Sequence, residues 1–373
     1  MKIAFLSTFY PYRGGIAQFN ASFYRALEKN HEVQAFNFSL QYPRFLFPGK
    51  TQYVSPDDQA DQIPSRRTLN SINPLSYHNT VKAIKQYNPD ILIIGYWMPF
   101  MAPSLGYIAR RLNKKCNVIS IVHNAIPHEK SIFDRILSNY FFKSNKKIVS
   151  LSHAVSTNIK QYYPSLKITS ISHPIYSHFG ESVSKESALA KLKLNADKNY
   201  ILFFGLIRPY KGLDILLESL IHIDQSFELI IAGETYGSFE NYRQIISKNN
   251  LDNRIHHFNH YISDNMVKYF FSASQCCILP YKSATQSGII AIANHYNTPV
   301  ISSNVGGLSE FIENGKDGLL IDEINPFKIS EVLNQPNSSE LFSNIRNNLK
   351  EKKHRNWDDF SADFLHFSNQ DSL

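Results

Sequence analysis

The chain has 373 residues, more than one hydrophobic core usually holds, so its length predicts two domains. Hydrophobic residues make up 43% and charged residues 19% of the chain, which are globular values and exclude general disorder. The three cysteines provide neither a disulfide framework nor metal-ligand spacing, and a reducing cytosol fits them best.

The net charge of +8 is spread unevenly along the chain. Residues 101–150 contain nine Lys or Arg residues, against Glu129 and Asp134 as the acids. Such a patch attracts anionic lipid, nucleic acid or phosphorylated substrates. No known nucleic-acid module is present, so we expect no nucleic-acid partner. The N-terminus has one lysine and a short apolar run, which predicts neither a signal peptide nor a membrane span.

The first half of the chain alternates strands and helices. The predicted strands are 2–8, 31–38, 91–96, 117–123, 147–152 and 167–173, and the predicted helices are 16–28, 103–112 and 154–162. The strands are apolar without alternating polarity, which is typical of a parallel sheet covered on both faces. Residues 40–75, which include Pro43, Pro48, Pro56 and Pro64, predict a long irregular excursion, a candidate for shaping an acceptor site.

A basic, aromatic segment lies between Lys130 and Lys147. Its apolar residues recur at helical spacing and are Ile132, Phe133, Ile136, Leu137, Tyr140 and Phe141. The pattern fits an interfacial membrane helix, and equally a helix that faces the core with a solvated basic side. The first alternative would place the protein on the inner face of the cytoplasmic membrane.

A second series of strands and helices follows residues 173–184, which break the rhythm and predict a linker. Its strands are 199–205, 227–233, 254–259, 276–280, 299–302 and 318–322, and its helices are 187–192, 212–220, 242–248 and 264–272, with more helix up to about 350. The pattern predicts an α/β fold of two Rossmann-like, doubly wound domains, at 1–178 and 179–350. Residues 351–373 predict a final helix that packs back on the N-terminal domain. The expected ligand site is a cleft between the domains.

The most informative motif runs from Phe203 to Leu220. A buried strand ends at Gly205, and Arg208 and Lys211 follow in the loop before an amphipathic helix. An arginine fork and a lysine point charge at the end of a strand suit the oxygens of a diphosphate.

A second candidate anion site lies at residues 281–310. A helix predicted to start near Gln286 would leave its first amide groups unpaired, with a partial positive charge that favours a phosphate. The alternative is that Thr285 or Ser287 caps an ordinary helix.

The layout resembles the retaining GT-B glycosyltransferases of family 4, also called glycosyl transferases group 1, over essentially the whole chain. The matching pieces are RGGIAQFN at 13–20, VHN at 122–124, FFGLIRPYKGLD at 203–214, IAGE at 231–234, SGII at 287–290 and TPVISSNVGGLSEFIENGKDGLL at 298–320. The resemblance therefore implies a GT-B fold and a metal-independent hexosyltransferase.

The resemblance also implies a role for each matching residue. The implied catalytic residues are His123, against the donor sugar, and Arg208 and Lys211, on the diphosphate. The implied donor-binding residues are Gly15, Gly205, Gly233, Glu234, Gln286, Ser287, Gly288 and Ile289. Gly14 and Asn124 fall on the acceptor side. By the same resemblance a sugar passes with retention from a nucleotide-diphosphate sugar to an acceptor hydroxyl. No D-x-D triplet occurs, which agrees with cationic side chains and amides acting in place of a metal.

One departure falls in the loop before the predicted helix. Most of the family has two glutamates there, whose positions are occupied in this chain by Thr285 and Ala293. The TQSG sequence at 285–288 resembles a subgroup of bacterial surface-polysaccharide transferases. We therefore expect an enzyme that extends a glycan or lipid-linked acceptor for lipopolysaccharide or capsule. A catalytically silent GT-B subunit, motivated by the missing carboxylates, and a nucleotide-sugar epimerase remain as alternatives.

Overall fold

The computed structural model describes residues 1–44, 47, 49–56, 58–124 and 132–370. The chain forms two compact units. Unit 1 comprises 1–56, 60–174 and 355–373, and unit 2 comprises 57–59 and 175–354. The chain thus leaves unit 1 after Pro174, inside the segment predicted as a linker, and returns to it at Arg355.

Unit 1 is built on a parallel sheet. Its strands in the described residues are β1 (Lys2–Leu6), β2 (Glu32–Leu40), β3 (Ser65–Asn70), β4 (Ile91–Tyr96), β5 (Asn117–Val122), β6 (Lys147–Ser150) and β7 (Lys167–Ser170). They lie in the order β3-β2-β1-β4-β5-β6-β7. The crossover connections are α1 (Gly15–Glu28), α2 (Pro74–Tyr87), α3 (Ala102–Leu112), α4 (Ile132–Lys143) and α5 (His153–Tyr162).

Both faces of this sheet are buried, because alternate residues of each strand point to opposite sides. On β1, Ala4 and Leu6 enter the core that α2, α3, α4 and α5 cover, whereas Ile3 and Phe5 enter the core under α1. Burial on both faces explains why the strands are apolar throughout.

Unit 2 contains the second parallel sheet. Its strands are β8 (Asn199–Phe204), β9 (Phe227–Ala232), β10 (Ile255–Phe258), β11 (Cys276–Leu279), β12 (Val300–Ser303) and β13 (Leu319–Ile321). They lie in the order β10-β9-β8-β11-β12-β13. The helices are α6 (Lys185–Leu192), α7 (Leu213–Ser219), α8 (Glu240–Lys248), α9 (Asp264–Ala273), α10 (Gly288–His295), α11 (Pro326–Leu333) and α12 (Ser338–Glu351). The predicted α/β class with two Rossmann-like units is confirmed.

The irregular excursion predicted for residues 40–75 was wrong in its second half. Residues 65–70 form β3, which pairs in parallel with β2 at the edge of the sheet, and α2 begins at Pro74. The β3 sequence SRRTLN is mostly polar because an edge strand is only partly covered. Hydrophobic pattern alone therefore did not reveal it.

The final helix, α13 (Trp357–Asn369), belongs to unit 1. Phe360, Phe364 and Phe367 pack in the same core as α1. At the far end, Asn117 Nδ2 and Lys147 Nζ donate hydrogen bonds to the Ser368 carbonyl, at 2.7 and 2.8 Å. The two donors satisfy a carbonyl that the helix end leaves unpaired.

The basic helix α4 is buried at one end and exposed at the other. Its C-terminal Phe141 and Phe142 are buried in unit 1, whereas Phe133 and Ile136 are 75% and 60% exposed. Lys147 does not belong to the solvated basic side, because it is 7% exposed and bonded to α13. Lys130 and the Ile132 side chain lie outside the described residues. No helix in the described ranges is long and apolar enough to span a bilayer.

Candidate active site

The loop after β8 brings two cations to the carboxyl edge of the second sheet. Gly205 follows β8 with a φ of 90°, and Pro209–Lys211 form a single 3-10 turn. Gly212, with a φ of 72°, is the N-cap of α7. A Cβ added at Gly212 would lie 1.9 Å from the carbonyl oxygen of Pro280, so the turn depends on glycine.

Lys211 is an unusual cation because it is only 8% exposed. Its Nζ lies 5.5 Å from the centre of the Tyr281 ring. Burial lowers the pKa of Lys211 to about 8, and the charge of Arg208 acts in the same direction. Within the described ranges, no carboxylate forms an ion pair with Lys211. A buried ammonium without a counter-ion is a ready site for an anion.

Arg208 stands at the start of the same turn. It is partly buried, and its guanidinium lies 5.7 Å from the centre of the Tyr236 ring. The aromatic face orients the planar guanidinium without neutralising it.

Two glycine turns pack against each other beside these cations. Gly205 N donates to Ala232 O at 2.9 Å, and a Cβ added at Gly233 would lie 2.0 Å from Gly205 O. Gly233 has a φ of 152°. Glu234 is 2% exposed, and its carbonyl accepts a hydrogen bond from Ile207 N. The predicted residues Gly205, Gly233 and Glu234 therefore form one compact wall.

Helix α10 begins at Gly288, two residues later than the sequence predicted. Ser287 is its N-cap, and the Ser287 side chain accepts a hydrogen bond from Ile289 N at 3.3 Å. The side chain of Ile289 lies near Lys211, because a Cβ at Gly205 would lie 3.3 Å from Ile289 Cδ1 and 3.2 Å from Lys211 Nζ. The positive end of α10 and the Lys211 ammonium therefore border the same small region.

Most of the family has a glutamate at the positions of Thr285 and Ala293. Ala293 is fully buried in α10. Gln286, next to Thr285, has a buried Oε1 that accepts no hydrogen bond from the described residues. An acceptor oxygen left unpaired at a site is available to a ligand after a small adjustment.

The predicted residues of unit 1 lie at the start of α1 and directly after β5. Gly14 has a φ of 107° and precedes α1, which starts at Gly15, and a Cβ at either glycine would meet nothing within 4 Å. His123 follows β5, and its backbone N–H donates to Tyr96 O at 2.9 Å. Asn124 comes next and is partly buried.

The imidazole of His123 is 3% exposed, and its Nε2 is buried without a hydrogen-bond partner among the residues described. Burial lowers the pKa of His123 to about 3, and the neighbouring His173 contributes. The ring is therefore neutral at physiological pH and can act through a hydrogen bond rather than a charge.

Sequence reasoning missed several residues around these sites. Tyr281 is 3% exposed and supports Lys211, and its Oη is buried without a partner in the described chain. Phe19, His173 and Trp357 surround His123 or its neighbours. The signal for Tyr281 was its place directly after a predicted strand, whereas the other three are distant in sequence and carried no common signal.

Comparison with known proteins agrees with this arrangement. Residues 13–177 match the profile of Glycosyltransferase Family 4, and residues 184–355 match that of Glycosyl transferases group 1. An uncharacterized glycosyltransferase of Methanocaldococcus jannaschii is 26% identical over 360 residues, which cover 94% of this chain and 93% of the relative.

Solved structures share the fold over the full length. HepE of Anabaena, in complex with UDP-glucose, superposes with a TM-score of 0.75 at 16% identity and covers 100% of both chains. WaaG, a glycosyltransferase involved in lipopolysaccharide biosynthesis, superposes with a TM-score of 0.68 at 15% identity, again over 100% of both chains. The chain is therefore a GT-B glycosyltransferase, composed of a family 4 N-terminal part and a group 1 C-terminal part.

Proposed function

We propose that this glycosyltransferase moves a sugar, with retention of configuration, from a nucleotide-diphosphate sugar to an acceptor hydroxyl. The observation that carries the proposal is Lys211, a buried ammonium without a carboxylate partner in the described residues, next to the start of α10. A diphosphate supplies the negative charge that this position lacks.

The proposed reaction breaks the bond between the sugar C1 and the phosphate oxygen of the donor. A new bond forms between C1 and the acceptor oxygen on the same face, and the hydroxyl proton passes to the departing phosphate. Arg208, Lys211 and the amides of 287–289 would stabilise the charge that develops on the diphosphate. His123 would position the donor sugar. We propose that these groups act without a metal or another cofactor.

The donor and acceptor classes are also proposals. HepE was solved with UDP-glucose and WaaG is involved in lipopolysaccharide biosynthesis, so UDP-sugars and lipid-linked surface-polysaccharide intermediates are the first substrates to test. A donor that binds the folded state raises the melting temperature by mass action, so a thermal-shift screen over nucleotide-sugars identifies it.

Turnover then tests the reaction itself. The donor that stabilises the protein is incubated with candidate acceptors, and the anomeric configuration of the product is read by NMR. An α-linked product from an α-donor supports retention, and an inverted product refutes it. Stabilisation by nucleotide without turnover on any acceptor favours the silent subunit. A changed donor sugar in the absence of acceptor favours the epimerase.

We further propose peripheral contact with an anionic membrane on the cytoplasmic side, through α4. Phe133 and Ile136 are strongly exposed near one end of the helix, and Lys143 and Lys146 are exposed at or beyond the other. Exposed aromatic and aliphatic groups insert at the interface while lysines attract anionic headgroups.

A further inference from the structure

Phe19 lies at the centre of an aromatic cluster in unit 1 that includes His123. Its ring is 1% exposed. It meets His123, His173 and Trp357 in T-shaped pairs, with ring centroids 4.9, 5.2 and 5.1 Å apart. Trp357 also packs against His173 at 5.9 Å. T-shaped pairs have a preferred geometry, so each ring restricts the orientation of the next.

The members of this cluster come from four distant parts of the chain. Phe19 belongs to α1, His123 follows β5, His173 lies three residues after β7, and Trp357 is the first residue of α13. Their meeting depends on the return of the C-terminal helix to unit 1.

Helix α13 holds Trp357 in a defined place because its first turn is capped and its far end is bonded to other elements of unit 1. At the start, Asn356 and Asp359 form a reciprocal capping box. At the other end, Asn117 and Lys147 bind the carbonyl of Ser368. A helix with an ordered first turn and an anchored far end presents its first side chain with little freedom.

The Nε2 of His123 is a buried nitrogen of this cluster without a hydrogen-bond partner among the described residues. Leaving a buried nitrogen such as its Nε2 unpaired is unfavourable for folding. The unpaired nitrogen persists in a ring that Phe19 packs against, while His173 and Trp357 in turn pack against Phe19. Such pre-organisation at the expense of stability is typical of functional sites.

We propose that Trp357, acting through Phe19 and His173, is a positioning residue that holds the His123 imidazole in the orientation the donor sugar requires. The inference rests on the proposed function, because it takes from that proposal the role of His123. It gives helix α13 a part in the reaction as well as in folding. The ring is neutral at physiological pH, which fits this role, because the hydrogen bond of a neutral imidazole depends more on direction than the attraction of a charge does.

The test uses a matched pair of variants on one helix. Trp357→Leu removes the ring that braces Phe19. Phe364→Leu is the control, because it removes a fully buried ring from the same core that packs on Phe23, with ring centroids 5.2 Å apart. Trp357→Phe keeps an aromatic ring at the critical place and serves as the conservative rescue.

The first readout is histidine NMR of labelled protein, which requires no turnover. Trp357→Leu should perturb the His123 imidazole resonances and raise the pKa of His123 by about one or more, because water gains access to the ring. Phe364→Leu should leave both near their original values, and Trp357→Phe should lie near the original protein. Equal effects of Trp357→Leu and Phe364→Leu, or no effect of either, would overturn the proposal.

The second readout is a double-mutant cycle with His123→Ala. Trp357→Leu should lower kcat/KM about 10-fold in the original background, because small displacements of a positioned group cost this much or more. It should change kcat/KM less than about twofold in the His123→Ala background, since the group it positions is gone. Equal losses in both backgrounds contradict positioning through His123. If the unmodified protein shows no turnover, that result counts against the proposed function. The NMR measurement, which needs no turnover, then tests the positioning role by itself.

Discussion

Replacing Lys211 with methionine should make the protein more stable and the enzyme much less active. The side chain is 8% exposed, and burial lowers its pKa from 10.5 to about 8. At 1.36 kcal/mol per pH unit, that difference corresponds to about 3 kcal/mol. This is the amount by which the protonated Lys211 destabilises the folded state. Methionine has a similar length and no charge, so it removes the penalty while retaining most of the packing.

The sign of the pH dependence follows from the lowered pKa. The folded state binds the Lys211 proton more weakly than the unfolded chain, so the penalty is fully present below about pH 8. It declines as pH rises from about 8 towards 10.5, where the unfolded lysine also loses its proton. We expect Lys211→Met to stabilise the ligand-free protein by about 1–3 kcal/mol at pH 7, and by progressively less above pH 8.

Activity should change in the opposite direction. Loss of one preorganised charge contact to a developing anion lowers kcat by about 10²- to 10³-fold. In the unmodified protein, the affinity for a diphosphate should fall above about pH 8 as Lys211 deprotonates, and bound diphosphate should raise the pKa of Lys211.

Urea denaturation at several pH values, together with nucleotide titration, measures both effects. Lys198→Met is the control. Lys198 directly precedes β8, at the opposite end of that strand from Lys211, and its Nζ lies 3.6 Å from Glu228 Oε1. It should alter stability little and leave turnover unchanged. The reasoning is refuted if Lys211→Met is destabilised at pH 7, or if its stability difference from the original protein does not vary with pH.

Three further variants test other parts of the structure. Gly233→Ala should lower the free energy of unfolding by about 2 kcal/mol or more and weaken nucleotide binding, because the added Cβ would lie 2.0 Å from Gly205 O. Gly237→Ala is the control: Gly237 has a φ of 95° and no neighbour within 4 Å of an added Cβ, so this variant should lose less stability in the same urea denaturation assay. Arg254→Met should lower the free energy of unfolding, measured by urea denaturation, by about 3–5 kcal/mol. The reason is that the buried guanidinium donates hydrogen bonds to four backbone carbonyls, including those of Leu220 and Phe227. Phe133→Ser should weaken sedimentation with anionic vesicles at low salt without lowering the melting temperature, because the ring is 75% exposed; unchanged sedimentation contradicts the membrane contact.

The sequence was a good guide to the strands and to the residues at their ends. Strands such as β4 and β8 are continuous apolar runs, and Gly205 and Gly233 mark where the chain turns sharply after a strand. These signals are local, so periodicity and turn chemistry were sufficient to predict two parallel sheets. Edge strand β3 was missed because its polar sequence reflects partial exposure, which local pattern does not separate from a loop.

By itself, the sequence determined that this chain has two Rossmann-like units and that Arg208, Lys211 and the start of α10 follow strands of one sheet, because local propensity and the order of parallel strands decide both. Only the tertiary structure decided that Lys211 is buried with a lowered pKa, because desolvation depends on atoms such as those of Tyr281 that are distant in sequence. Only the tertiary structure brought Trp357 to Phe19, and so to the side of His123. That contact depends on the return of the last helix to unit 1, and long-range packing of this kind leaves no periodic signal in the chain.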